Sequence, residues 1–368
     1  MYAGLEFASS TTVLDTPLAA AHQRAGAKLG VWFGCILPND FGDPAAEYRA
    51  ARDTVALLDK NYRAVLSFTG PDRVRYLNAI LTNNIKDLAP GHANVSLLLN
   101  PQGHILAEIE THAFAEKLLC VSHAMIRERL IEWLDKFIIM DDVTLSDESQ
   151  LHGTLALEGP HAAAVTRELS AIDIAPLAEL SSTEAVVASI PCRIVKRSPG
   201  NIPSAEFIVA RENLAHLWPI LSEAAQKHAG RPMGYTALSA RCLAQGVPWF
   251  SYDFGEKQIP HEAGLQDSHI SYTKGCYTGQ EIVERVRSRG QVNRQRVDLL
   301  FTGETVPAPG TPLTLDAKEV GFVTRAAKIW DPPRVIAMAY ARKQAQAPGT
   351  TLHSPNGPAT VVRFREAL

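Results

Sequence analysis

Ala64-Val65-Leu66-Ser67-Phe68-Thr69-Gly70-Pro71-Asp72 carries a β-type run into a Gly-Pro turn, and Arg73-Val74-Arg75-Tyr76-Leu77 continues it as a helix. The same order returns at Leu155-Ala156-Leu157-Glu158-Gly159-Pro160-His161, followed by a helical stretch over 162–169. Proline suits a first helical turn because the N–H it lacks would be unpaired there anyway. Two strand–Gly-Pro–helix units predict two related α+β lobes, although such a turn also arises by chance.

Working outward, the runs 95–100 and 105–111 read as strands joined by Pro101-Gln102-Gly103-His104, a hairpin-type connection. A helix is expected over 124–137. Upstream, Tyr48, Ala51, Val55 and Leu58 fall at spacings of three and four, the apolar stripe of a helix over 47–58. Downstream, 180–209 is strand-rich and 214–228 helical. From Gln295 the texture changes: short β-type runs at 297–301, 319–324, 335–340 and 360–364 alternate with turns such as Val306-Pro307-Ala308-Pro309-Gly310. That pattern predicts a small antiparallel barrel or sandwich. The boundary falls between Arg289 and Gln295, giving 1–290 as two interleaved α+β lobes and 291–368 as a C-terminal β-barrel.

The chain has 368 residues, long enough for two or three domains. A composition 46% hydrophobic and 20% charged is that of a globular protein, and a net charge of -3 argues against a non-specific nucleic-acid binder. Direct nucleic-acid binding and membrane insertion are not expected. The apolar run 29–37 is too short to span a bilayer, and the first residues lack the order of a secretory signal. Five scattered cysteines, with no C-x-x-C pair, suit a reducing cytoplasm. No metal-ligand spacing is found: His104, His112 and His123 fit no recognised set.

Tyr272-Thr273-Lys274-Gly275-Cys276-Tyr277-Thr278-Gly279-Gln280-Glu281 sets one cysteine beside a lysine, ahead of an amphipathic run, Ile282-Val283-Glu284-Arg285-Val286. Thr278 and Glu281 have capping-box spacing, with threonine at N-cap and glutamate at N3. Read so, Cys276 lies just outside a helix N-terminus, where unpaired N–H groups and the macrodipole favour an anion. With Lys274 alongside, thiolate is favoured. A simple turn before a helix explains the glycines equally.

Several segments together resemble the glycine-cleavage T-proteins (aminomethyltransferases), a folate-binding superfamily. They are Thr16-Pro17-Leu18 with His22, Gly26-Ala27 and Phe33-Gly34; Glu47-Tyr48-Arg49-Ala50-Ala51-Arg52; Phe68-Thr69-Gly70-Pro71; Leu81-Thr82-Asn83-Asn84-Ile85; and Leu88-Ala89-Pro90-Gly91. Lys274-Gly275-Cys276-Tyr277, then Gly279-Gln280-Glu281, with Glu262-Ala263-Gly264-Leu265 ahead of it, is similar to the signature of one branch, the YgfZ-type folate-binding proteins.

The resemblance implies an α+β cloverleaf of three domains around a channel that holds tetrahydrofolate or a related reduced folate. The YgfZ-type branch implies service to iron–sulfur enzymes, including tRNA-modifying ones, with iron–sulfur assembly or client proteins as partners. The alternative is a folate-dependent aminomethyl- or methyltransferase of the T-protein type. At the inter-strand loop the family has a pair of aspartates, where this chain has Ala107 and Glu108. Alanine can neither take a proton nor stabilise positive charge. Glu108 either keeps one carboxylate for acid–base work or is a surface residue of a hairpin strand; a misplacement of about 1 Å costs roughly a hundredfold in rate.

The resemblance therefore moves the expected chemistry to Cys276 as reactive thiolate, with Lys274 as its electrostatic helper and a contact for the folate carboxylate. Gln280 and Glu281 would frame the helix start, and Asn100 and Gln102 would line the channel. Glu206, one position out of the family's register, is a folate-contact candidate. Trp249 and Phe250 would stack on a pterin or belong to the core. Arg285, Arg287, Arg289, Arg294 and Arg296 read as a solvated face and linker rather than an anion site, since no aromatics are interleaved.

Overall fold

The computed structural model describes residues 13–290 and 292–363. Expectations touching residues 1–12, 291 and 364–368 lie outside the described residues; they include both chain ends, the first residue of the expected C-terminal domain and Phe364 of the last predicted strand.

The first lobe is a five-stranded antiparallel sheet in the order Ala93–Leu99, Ile105–Ala113, Leu118–His123, Arg63–Thr69, Thr144–Asp147. Leu66, Phe68, Leu97 and Ile109 project from it into one core with Leu77 of helix Arg73–Ile80 and Leu130 of helix Arg127–Asp135. The helix expected over 124–137 is thus a 3₁₀ turn, Ala124–Ile126, followed by an α-helix.

The second lobe is a six-stranded sheet in the order Ser182–Val187, Ile190–Arg197, Ser204–Ala210, His152–Glu158, Ala56–Asp59, Arg231–Pro232. Helices Ala162–Ser170 and Leu214–Lys227 pack on it through Val165, Leu217 and Leu221. Each strand–Gly-Pro–helix unit read from the sequence seeds one lobe. Gly70 and Gly159 carry φ of +93° and +129°, and a Cβ on Gly159 would lie 2.5 Å from Thr54 O, so that turn tolerates no side chain.

The lobes interleave because Ala56–Asp59 pairs in the second sheet, while Arg63–Thr69, only three residues on, belongs to the first. This corrects the helix expected over 47–58. The helix is Pro44–Asp53, opened by Asp43, whose side chain accepts from Ala46 N. Val55 and Leu58 match the helical spacing but are core residues of the next segment, and all four residues of Ala56–Asp59 are buried. A strand covered on both faces reads as a continuous apolar run, which periodicity alone cannot separate from a helix.

The C-terminal strands close into a six-stranded antiparallel barrel in the order Arg294–Phe301, Pro333–Arg342, Lys318–Trp330, Pro312–Leu315, Thr351–Ser354, Gly357–Val362 and back to the first, where Leu299 faces Val361. Closure removes exposed sheet edges. One buried residue ties the barrel to the lobes. Arg325 meets Asp253 at 2.7 Å, donates to Val247 O at 2.9 Å and lies over the Trp249 ring at 4.0 Å. No helix among the described residues is long and apolar enough to cross a membrane.

Candidate functional site

The two sheets, the barrel and the connecting loops meet around a cavity of about 440 Å³. One side is aromatic. Phe33 stacks on Tyr62 at 4.4 Å between ring centres, Tyr62 on His123 at 5.4 Å, and His123 lies 5.0 Å from Phe250, with Trp249 beside Phe33 at 5.1 Å. Phe33 reaches this wall from a turn with φ of +51° between the strands Lys28–Trp32 and Cys35–Asp40. Trp249 and Phe250 therefore belong both to the lining and to the buried core, with Trp249 held from behind by Arg325 and Asp253.

The floor is ionic. Lys60 and Arg63 flank the crossing between the sheets. Lys60 meets Glu158 at 2.7 Å and Glu206 at 3.0 Å, while Arg63 holds both Glu206 oxygens, at 2.6 and 2.9 Å. Arg197 pairs with Glu110, which also meets His112 at 2.7 Å. Three cations thus face three carboxylates. Burial would raise the Glu206 carboxyl, but the Arg63 and Lys60 charges outweigh it and hold the group well below the usual carboxylate range. Burial, reinforced by the Arg63 charge and only partly opposed by Glu206 and Glu108, presses His112 and His123 down to about 4, so both imidazoles are neutral near pH 7.

Glu108 projects from the middle of strand Ile105–Ala113 into the cavity, its side chain 26% exposed, and its Oε1 stands 3.0 Å from His269 Nε2. Burial raises the Glu108 carboxyl, but the hydrogen bond and charge of His269, with His123 and Arg197 nearby, bring it below its ordinary value. His269 Nδ1 lies 2.7 Å from Ser268 Oγ. An ionised carboxylate can only accept, so His269 carries its proton on Nε2 in the neutral form, and Ser268 donates to Nδ1.

The structure divides the residues singled out in the sequence. Glu108 lines the cavity. Glu206 lies beneath it with both oxygens engaged, so it is not a free ligand contact. Asn100 and Gln102 do not line it; they form the tip of the hairpin, where Asn100 Oδ1 accepts from Gln102 N at 3.0 Å and His104 N at 2.9 Å. A polar hairpin tip satisfies its own backbone, and that consumes the asparagine.

The Lys274–Glu281 segment also lies off the cavity lining. The predicted capping box is not formed. The helix is Gln280–Arg289, its N-cap is Gly279 with φ of +81°, and Gln280 Oε1 accepts from Tyr277 N at 3.3 Å. A Cβ at Gly279 would lie 2.6 Å from Asn100 O, so the chain needs glycine where the helix start packs on the hairpin. Thr278 is thereby displaced from the cap position.

Lys274 donates to the carbonyls of Asn78 and Leu81 and lies 4.8 Å over the Tyr277 ring. Those carbonyls end helix Arg73–Ile80, where a cation complements the macrodipole. Burial lowers the Lys274 amine to about 8, with the neighbouring Cys276 opposing the shift. Cys276 itself is a free, exposed thiol, whereas Cys35, Cys120, Cys192 and Cys242 are buried.

Sequence reading missed Lys60, Tyr62, Arg63 and His269. His269 sits one short helix before the motif, and its chemistry appears only when the fold brings it to a partner 161 positions away. Among the described residues no group of three or more His, Cys, Asp or Glu is placed to hold a metal ion.

The family profile of the GCVT N-terminal domain matches residues 18–269. The chain is 26% identical to the aminomethyltransferase of Streptomyces avermitilis over 345 residues, 93% of each protein. It is 28% identical to that of Herpetosiphon aurantiacus over 312 residues, 84% of this chain and 85% of the relative. The crystal structure of glycine cleavage system aminomethyltransferase T from Bartonella henselae superposes with a TM-score of 0.85, at 20% identity over 96% of this chain and 97% of the other. With the profile spanning both lobes and the fold matched from the first sheet through the barrel, the chain belongs to the GCVT N-terminal domain family, the aminomethyltransferase-like proteins.

Proposed function

We propose that this protein binds tetrahydrofolate or a related reduced folate in the junction cavity and transfers a one-carbon group there, as a folate-dependent transferase of the aminomethyltransferase type. The observation that carries this reading is Glu108 held by His269 on an aromatic-walled cavity. The ionic floor is balanced within itself, which suits an uncharged planar ring bearing N–H and C=O groups better than a phosphate ester. Tyr62, the half-buried ring of this wall, is the one that can stack on a ligand, with Phe33, His123 and Phe250 packed behind it. Glu108, kept ionised, can accept a proton from a folate nitrogen as it reacts, the work of a general base.

The motif at Lys274–Glu281 favours a second reading. Cys276 is exposed beside Lys274 in the segment similar to the YgfZ-type signature, and it has no place in the core. In that reading the protein is a YgfZ-type folate binder serving iron–sulfur proteins through this thiol.

One comparison separates the two: aminomethyl transfer to tetrahydrofolate by the unmodified protein, Glu108→Gln and Cys276→Ala. Transferase function predicts a loss of about a hundredfold or more in Glu108→Gln, with Cys276→Ala retaining turnover. Folate binding without turnover in any variant would overturn the transferase reading and leave the second one standing.

A further inference from the structure

The Ser268–His269–Glu108 chain is more than a way of holding one carboxylate. Ser268 Oγ is 2.7 Å from His269 Nδ1, His269 Nε2 is 3.0 Å from Glu108 Oε1, and all three residues line the cavity. Ser268 is exposed, whereas His269 is buried and Glu108 partly so. A hydroxyl on a base, with the base oriented by a carboxylate, is the arrangement that activates a nucleophile. The links run through the opposite ring nitrogens from those of the serine proteases, and such a constellation is recognised by roles rather than by sequence position.

We propose that Ser268 is an acyl-accepting nucleophile and that the cavity hydrolyses small N-acyl groups, with an N-formyl derivative of the reduced folate as its substrate class. Ser268 Oγ attacks the formyl carbon while its proton passes to His269 Nδ1. The C–N bond then breaks, and the departing nitrogen takes that proton. This leaves tetrahydrofolate and a formyl ester on Ser268. Water, giving its proton to Nδ1, attacks the ester; formate departs and Oγ is protonated again. Glu108 holds the imidazolium throughout and stays ionised. No reactant besides water is required.

The same wall supplies a donor for the oxygen that becomes negative. Arg296 bonds through Nε to Ala263 O at 2.9 Å and through Nη1 to Gly246 O at 3.2 Å. Its Nη2 lies 3.4 Å from where a Cβ on Gly264 would stand, and its Nη1 also lies 3.9 Å from Asp298 Oδ1. A fixed cationic donor on the wall favours a tetrahedral oxyanion. The elements packed against Glu108 bring His123, Arg197 and His269, of which His269 alone joins it to a hydroxyl.

The choice of folate as carrier rests on the function proposed above; the nucleophile does not. The test therefore has two arms. With p-nitrophenyl acetate, the unmodified protein is expected to release nitrophenolate at least about a hundredfold faster than Ser268→Ala, with an acetyl group found on Ser268 by peptide mass spectrometry. Cys276 and Lys274 can also react with this ester, so the labelled site and the Ser268→Ala difference decide. With 10-formyltetrahydrofolate, formate release should depend on Ser268 in the same way.

Equal rates in the two proteins, or an acetyl group confined to Cys276 and Lys274, would overturn the nucleophile. Ester cleavage at Ser268 without formate release would overturn the substrate class. Tetrahydrofolate binding, read by quenching of Trp249 fluorescence, is measured alongside. Its absence counts against the function proposed above, while the ester arm still judges Ser268.

Discussion

The wall of the junction cavity and the Lys274–Glu281 segment each hold a set of chemically capable side chains, and they are built in opposite ways. The segment is contiguous and easily recognised, yet most of it is architecture. Lys274 closes a helix end, Tyr277 is buried, and Gly279 lets the helix start approach the hairpin, with Cys276 left facing solvent. The cavity is assembled from separate pieces: Lys60 and Arg63 from the crossing between sheets, Glu108 from a hairpin strand, His269 from a short helix, Arg296 from the barrel. A compact motif thus marks a structural joint, while the acid–base chemistry proposed above would draw on a constellation with no local signature.

That contrast can be broken or sharpened by experiment. The largest effect should come from the cavity floor. Arg63→Met leaves Glu206 with Lys60 and the longer contact to Arg197, and breaking a buried pair by removing one partner costs about 3–5 kcal/mol. Denaturant unfolding would measure it, and a loss under about 1 kcal/mol would show the floor to be less rigidly paired than its distances indicate.

Acid should act on the floor and on the aromatic wall together. His112 and His123 are held to about 4 in the folded protein, against about 6.5 in an unfolded chain. Between those values the unfolded chain binds more protons. Stability therefore falls as pH drops from about 6.5 towards 4 and levels off below, at up to about 1.4 kcal/mol per pH unit for each histidine. In His123→Gln one of the two contributions should vanish from the stability-versus-pH curve; an unchanged curve would contradict the buried neutral imidazole.

In the motif segment, Gly279→Ala should cost about 1–3 kcal/mol, because the substitution meets both a left-handed backbone and the Asn100 carbonyl. Thermal unfolding reads this directly. The smallest effect belongs to Cys276→Ala, expected within about 0.5 kcal/mol of the parent protein as an exposed substitution. Iodoacetamide should alkylate Cys276 in the native protein, whereas Cys35 and Cys120, with thiols pushed up to about 12 by burial, and Cys192 and Cys242, up to about 11, should stay unmodified until unfolding. Alkylation of a buried cysteine at the same rate would mean the lobes open readily.

Much of the fold was legible because it rests on local rules. The Gly-Pro turns announced the two lobes, the polar turn at 101–104 announced a hairpin, and the short β-type runs after Gln295 announced the barrel. The helix over 47–58 was misread because a fully buried strand has no alternation to reveal it. The capping box failed for a similar reason. Thr278 and Glu281 have the right spacing, but packing against Asn100 requires a left-handed glycine at the cap. For the site, Glu108 could be singled out through the resemblance, as the residue standing where the family has a carboxylate, whereas its histidine could not.

Sequence by itself determined most kinds of element, the order of the lobes, the barrel and the family, because strand period, turn chemistry and motif spacing act over a few residues. Only the tertiary structure decided which polar groups are free to react. A carboxylate such as Glu206 is consumed by cations on other strands, and one such as Glu108 is paired by a histidine 161 residues away. Partners at that range are chosen by how sheets cross and pack, and burial then sets their charge.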